Sequence, residues 1–238
     1  MRVSELWRYP VKSMQGEQVD AAEVAEQGLA GDRQWAIFDT QMGFGMTARR
    51  SPELLLASAR LLPDGDVEIT LPDGTVAEDD DALSTWLGKP VQLKATPDVG
   101  IRRYENPEDI ETEAEDSWQP FEGSAQAFHD GFTVTLLSAA TIGARPMRRF
   151  RPNIVLDVGG EDELVGAAVR IGDATVRLTE QVPRCVMVTR AQPGGIEKDR
   201  EVLRWIHRER DGLLAVGGPV VAPGRVRIGD EVVAAPAG

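Results

Sequence analysis

Leu62-Pro63-Asp64-Gly65-Asp66-Val67-Glu68-Ile69-Thr70-Leu71-Pro72-Asp73-Gly74 sets one short run, Val67 to Thr70, between two copies of a Leu-Pro-Asp-Gly turn. Asp-Gly supplies the positive φ that a tight hairpin needs, and Val-Glu-Ile-Thr alternates as a half-buried strand does. The stretch therefore predicts a small antiparallel meander. The same pattern continues outward. Arg33-Gln34-Trp35-Ala36-Ile37-Phe38 is another short run, and Arg170-Ile171-Gly172-Asp173 and Arg227-Ile228-Gly229-Asp230 put Gly-Asp turns beside Val-rich segments, predicting further hairpins. Only the turn residues repeat, so the pairs do not mark an ancestral repeat. Helices are few: Asp81 is placed to cap a helix over Ala82 to Leu87, and Lys198 to Arg210 carries Val202, Leu203 and Ile206 at helical spacing before Gly212. The expected class is α+β and β-rich, with a few short helices.

The chain has 238 residues, enough for one large domain or two small ones to bury a core without disulfides or structural metal. Its 26 Lys and Arg face 39 Asp and Glu, a formal net charge of -13, which disfavours nonspecific binding to nucleic acid or to an anionic membrane. The opening residues Met1 to Arg8 lack the apolar core of a signal peptide, and no run approaches the length of a membrane span. A cytoplasmic, reducing setting is the default expectation.

The charges are unevenly distributed. Leu6 to Gly16, Thr40 to Pro52, Gly131 to Leu156 and Gln181 to Ile196 contain no Asp or Glu, yet these 66 residues hold ten of the 26 basic side chains. An even spread would put about eleven acids there. Folded together, these windows would form a local cationic pocket in an acidic protein, suited to a small phosphorylated or otherwise anionic ligand.

The last window contains Cys185, the only cysteine, in Pro183-Arg184-Cys185-Val186. It has no partner for an internal disulfide. Arg184 and Arg190, with no carboxylate nearby, favour a reactive or metal-bound thiolate, while a small apolar side chain packed in a strand is the alternative. His129 and His207 stand apart, without a second ligand at metal spacing. Tyr104 to Glu122 is crowded with acids, includes Pro107 and Pro120, and reads as a loop or connector between an N-terminal and a C-terminal part.

Three groupings occur in order. Tyr9-Pro10-Val11-Lys12-Ser13-Met14 with Gly16 precedes Gly28-Leu29-Ala30-Gly31-Asp32-Arg33 and Thr47-Ala48-Arg49. Leu136-Leu137-Ser138 leads to Arg149-Phe150-Arg151-Pro152-Asn153-Ile154-Val155. Pro183-Arg184-Cys185 is followed by Pro223-Gly224-Arg225-Val226-Arg227-Ile228-Gly229-Asp230. Together they resemble the MOSC family, the domain named for the C-terminus of molybdenum cofactor sulfurase. The form with an N-terminal β-barrel is similar to the amidoxime-reducing component and its bacterial relatives.

The resemblance implies an N-terminal MOSC β-barrel domain over residues 1–95 and a MOSC β-barrel over 96–238, with the pocket at their junction. It implies a molybdenum cofactor, in which a pterin dithiolene with a terminal phosphate holds the metal and Cys185 is both catalytic residue and metal ligand. Lys12, Ser13, Arg49 and Arg151 fall where it implies pterin or phosphate contacts, and Ser138 and Asn153 where polar pterin groups would be oriented. Thiolate is a soft donor suited to a metal already bound by sulfur, and guanidinium grips phosphate through paired N–H donors. Local alternatives remain: Asp32-Arg33 as an internal ion pair, Ser138 as a helix cap, Gly28 and Gly31 as turn formers, and Arg145, Arg148 and Arg149 as rim charges.

The implied activity is reduction of N-hydroxylated small molecules such as amidoximes and hydroxylamines. One cysteine cannot hold an iron–sulfur cluster, so a separate electron-donor protein is expected. The alternative is a carrier of the cofactor, or of sulfur as a persulfide on Cys185, without substrate turnover. Two departures bear on substrate: Glu161-Asp162-Glu163-Leu164 lacks a tryptophan that often follows this acidic pair, and Ala191-Gln192-Pro193-Gly194-Gly195 replaces an Asp-rich turn.

Overall fold

The computed structural model describes residues 1–107, 118–123 and 127–235. Among them the chain is strand-rich α+β, with twenty strands and three α-helices.

The Leu-Pro-Asp-Gly stretch forms the expected meander. Val67–Thr70 pairs antiparallel with Ser58–Leu61 on one side and Val76–Ala77 on the other. Gly65 and Gly74 hold φ of 95° and 88°, values that a side chain would resist. This sheet, the pair Trp35–Asp39 and Val91–Ala95, and the helix Asp80–Leu87 enclose a core containing Val11, Met14, Ile37, Leu54, Ile69, Leu83 and Val91. Asp79 caps that helix, not Asp81: its side chain accepts from the Ala82 N–H at 2.9 Å, and Gly88 closes the other end with φ 66°.

The second body is a six-stranded sheet in the order Glu180–Pro183, Leu213–Gly218, Val134–Ser138, Ile154–Leu156, Val3–Arg8, Glu17–Val19. Its one parallel pair, Val134–Ser138 with Ile154–Leu156, needs a crossover, which runs through the helix Ala139–Ile142 and the turn Met147–Arg149. A four-stranded sheet covers it, and Leu6, Leu136, Ile154, Val169, Val176 and Val216 share the core between them. No sheet closes on itself among the described residues; bulges at Val3/Glu5, Thr175/Val176 and Gln181/Pro183 interrupt the ladders.

The sheets cross residue 95. Val3–Arg8 and Glu17–Val19 lie in the six-stranded sheet, and Ala21–Ala25 pairs with Gly224–Arg227. The first thirty residues thus carry the Tyr9–Met14 segment from the C-terminal sheet into the N-terminal core.

Three local expectations are corrected. Gly172-Asp173 does turn the hairpin Ala168–Ile171 to Ala174–Arg177, but Gly229-Asp230 joins strands of two different sheets, because Val3 captures that turn through Val3 N to Asp230 O and Gly229 N to Val3 O. The last helix spans Glu201–Arg210, starting three residues later than expected, and buries Trp205 with Val202 and Ile206. Arg103–Pro107 and Trp118–Glu122 form an antiparallel pair, so the flanks of the supposed connector are strands. Its centre, 108–117, lies outside the described residues.

Candidate functional site

A cavity of about 400 Å³ lies where the Tyr9–Met14 segment, the Thr47–Arg49 turn, the Arg149–Arg151 segment and the strand end before Cys185 converge. All four acid-free windows reach it. They supply sixteen of its twenty lining residues, the other four being Arg33, Asn106, Phe121 and Asp130. Lys12, Arg33, Arg49, Arg149, Arg151 and Arg184 line the wall against one carboxylate, so an acidic chain encloses a cationic hollow.

Three of the lining residues have left-handed backbone: Ser13 at φ 69°, Arg33 at 51° and Arg151 at 51°. Each costs on the order of 1 kcal/mol relative to an ordinary conformation. Packing fixes all three. Ser13 Oγ accepts from the Ala48 N–H at 3.0 Å, Arg33 N–H donates to the Tyr9 carbonyl at 2.7 Å, and Arg151 Nη1 donates to the Met14 carbonyl. Burial, then repulsion from Arg33, lowers the pKa of Arg151 to about 10, which leaves it charged at neutral pH.

Lys12 is buried, donating Nζ to Asp130 and to the Phe128 carbonyl at 3.1 Å, and lies 4.9 Å from the Tyr104 ring centroid. Asp130 lines the cavity with its side chain 73% exposed. Burial would raise its pKa, but Lys12, Arg33 and Arg151 together outweigh that and hold the carboxyl below its ordinary range. It is an anion at neutral pH and has no proton to donate.

Cys185 is half-buried and lines the cavity. It ends the turn out of Glu180–Pro183 in extended backbone, φ -113° and ψ 178°, just before the short turn Val186–Thr189. Neighbouring Arg184 donates Nε to Leu214 O at 2.8 Å and Nη1 to Phe150 O at 3.0 Å, while its buried Nη2 has no hydrogen-bond partner among the described residues. Burial lowers its pKa to about 10, and the sulfur partly restores it.

Residues 1–101 match the MOSC N-terminal beta barrel domain and residues 134–233 the MOSC domain. The chain belongs to the MOSC family. It is 26% identical over 281 residues to mitochondrial amidoxime-reducing component 1 of Homo sapiens, covering 97% of this chain and 82% of that one. It is 26% identical to mitochondrial amidoxime reducing component 2 of Bos taurus, covering 87% and 72%. Against molybdenum cofactor sulfurase of Drosophila grimshawi the identity is 24%, over 88% of this chain and 30% of the other.

The cavity draws Lys12, Ser13 and Arg49 from the first MOSC segment and Arg151 and Cys185 from the second. Ser138 and Asn153, expected beside them, are not among the lining residues. Ser138 is fully buried at the start of the helix Ala139–Ile142, where its Oγ accepts from the Thr141 N–H at 3.2 Å, and the Glu161 carboxylate accepts its backbone N–H. Asn153 ties adjacent strands: its Oδ1 accepts from Thr135 N and Oγ1, and its Nδ2 donates to Trp7 O. Their polar atoms are engaged by the fold.

Of the expected rim arginines, Arg149 lines the cavity, while Arg145 and Arg148 are not among its lining residues. Arg149 is buried and donates to the carbonyls of Val188, Arg190 and Glu197, and Arg145 stacks 3.7 Å from the Trp205 ring centroid. Asp32 and Arg33 do form the internal ion pair, with Asp32 fully buried, yet Arg33 also lines the cavity. Arg33, Asp130, Arg149 and Arg184 are the charged lining residues absent from the sequence-derived cofactor list. A salt bridge between sequence neighbours hid Arg33, and Asp130 sits one residue before an acid-free window.

Proposed function

We propose that this MOSC protein is a molybdenum-cofactor oxidoreductase that reduces N-hydroxylated small molecules with electrons from a separate donor protein. The observation that carries the reading is the sharing of one cavity by Cys185 with Lys12, Ser13, Arg49 and Arg151. The residues fit the group. A cavity of about 400 Å³ falls within the usual ligand-pocket range, the wall is cationic, and a buried guanidinium nitrogen of Arg184, next in sequence to Cys185, has no hydrogen-bond partner among the described residues.

In this reading Cys185 gives the metal a soft sulfur donor, and Arg49 and Arg151 grip the anionic part of the cofactor through N–H pairs while Lys12 adds a point charge. Ser13 Oγ already accepts from Ala48 N–H, so its hydroxyl hydrogen is what it offers a ligand. Bound there, the group supplies two-electron chemistry that removes oxygen from an N–OH compound, releasing the reduced nitrogen compound and water as two protons are taken up. Asp130, held ionised by its cationic neighbours, fixes charge in the cavity. The names of the amidoxime-reducing relatives support this substrate class.

The test is metal and pterin analysis of wild type beside Cys185→Ser, with amidoxime reduction measured using an artificial donor. About one molybdenum and one pterin per chain, lost or inactive in the variant, is the expected result. Sulfur label on Cys185 without bound metal would replace the enzyme by a sulfur carrier, a role in keeping with the resemblance to molybdenum cofactor sulfurase. Metal binding and activity unchanged in Cys185→Ser would overturn both.

A further inference from the structure

Behind the cavity, Gln15 Nε2 donates to Gln192 Oε1 at 3.1 Å and to the Leu55 carbonyl at 2.9 Å. The two amides are 177 residues apart in sequence, and both are buried, at 2% and 4% exposure. The orientation is chemically determined. Gln15 Nε2 is already a donor to Leu55 O, so Gln192 must present its oxygen, which leaves Gln192 Nε2 buried without a partner among the described residues. An unpaired buried donor is costly, so the bond made by the other end of the same amide has to offset it.

On one side, Gln15 follows Lys12 and Ser13 and is anchored in the N-terminal body by Gln15 N to Ala57 O at 2.9 Å and Ala59 N to Gln15 O at 3.0 Å. On the other, Gln192 sits seven residues after Cys185 in a small turn, with Gln192 N to Ile196 O at 2.8 Å and Gly194 and Gly195 at φ 81° and 79°. Arg149 ties the Cys185 loop to the Arg149–Arg151 segment through the carbonyls of Val188 and Arg190, and Arg151 Nη1 to Met14 O and Arg190 Nη2 to Arg49 O are further bonds from this side to the N-terminal body. Lys12 and Ser13 belong to the opposite wall.

We propose that Gln15 and Gln192 are positioning residues, a buried amide clasp that holds the Cys185 loop at a fixed distance from the Lys12–Ser13 wall. Its use follows from reading Cys185 as the metal's ligand. Its test uses the metal-free thiol, so a failed clasp leaves that reading standing, and a failed metal analysis leaves the clasp standing.

Cys185 is the only cysteine, so the rate of alkylation of the metal-free full chain by iodoacetamide reports this loop alone. Gln192→Met and Gln15→Met keep volume while deleting the bond. Each is expected to raise the alkylation rate about tenfold, the effect of losing one buried hydrogen bond from a local opening equilibrium, and the double variant is expected to react no faster than the singles. Ser84→Ala removes a remote hydrogen bond to Val91 N and serves as control: it lowers global stability and leaves the thiol rate unchanged. Single variants within twofold of wild type, or additive effects in the double, would overturn the clasp. If Gln192→Met does not fold, Gln15→Met addresses the same bond from the other wall.

Discussion

The guanidinium of Arg151 lies over the ring of Tyr9, 4.3 Å from its centroid. Arg33 lies 4.9 Å from the same centroid, so one aromatic ring contacts two cations that both line the cavity. The ring quadrupole attracts each of them, and buried Asp32 pairs with Arg33 while accepting from Tyr9 N–H at 2.7 Å. Burial moves the Tyr9 hydroxyl pKa up to about 12, keeping it a neutral donor to Pro152 O at 3.2 Å.

Substitutions at Tyr9 therefore separate ring from hydroxyl. Tyr9→Phe is expected to cost about 1 kcal/mol, the worth of one hydrogen bond, and Tyr9→Leu about 3 kcal/mol because packing and both cation contacts go. Urea unfolding of the two variants checks this. Equal losses would mean that the ring does not support the two arginines.

Gly28 is at φ 103°, and a Cβ there would collide with the Thr133 carbonyl, a backbone atom that cannot swing aside. Gly43 also has positive φ, at 73°, but faces open space. Gly28→Ala is expected to destabilise by roughly 2 kcal/mol or more, and Gly43→Ala by about 1 kcal/mol from backbone strain alone. Thermal unfolding of both distinguishes collision from strain. Equal shifts would remove the close approach at Gly28.

The strands and the site were legible to different degrees, for a physical reason. Turn chemistry is local, so the meander around Val67–Thr70 and the Gly172-Asp173 hairpin follow from neighbouring residues. Sheet membership is not local: nothing near Gly229-Asp230 announces that Val3 will capture that turn. The acid-free windows anticipated most of the cavity wall because depletion of carboxylates is what leaves the hollow cationic, and every residue facing it shares that bias. That reasoning sees only depletion. It passed over Asp130, whose charge is tolerated because Lys12 pairs with it, and Arg33, whose neighbour Asp32 cancels its charge in the sequence. Ser138 and Asn153 carry the right donors and acceptors, but capping and strand-bridging use the same atoms.

Those two residues give a direct test of what the motif means. Ser138→Ala is expected to cost about 1 kcal/mol through loss of the cap, and Asn153→Ala about 2 kcal/mol through loss of its bonds to Thr135 and Trp7. Neither should change molybdenum bound per folded chain, whereas Arg151→Gln should lower it. Reduced metal content in folded Ser138→Ala would return that side chain to the site.

The last test concerns pH. His129 Nε2 lies 3.1 Å from Gln27 O, its buried Nδ1 has no hydrogen-bond partner among the described residues, and Asp32 Oδ2 is 3.9 Å away. Burial, reinforced by Arg33 and Lys12 and only partly opposed by Asp32, presses its pKa from 6.5 down to about 4. The folded chain thus keeps His129 neutral where the unfolded chain protonates it. Between about pH 6.5 and pH 4 the unfolded state binds more protons, so this contribution is complete above pH 6.5 and is lost as pH falls through that window. The full loss is roughly 3 kcal/mol at about 1.4 kcal/mol per unit. Below it, Asp39 and Asp130, whose carboxyls are held low, add their own acid loss. His129→Gln is expected to be less stable than wild type at pH 7 yet flatter between pH 6.5 and 4, with both proteins weakening further below pH 4. Urea midpoints measured across that range decide it, and parallel curves would show that His129 titrates alike in both states.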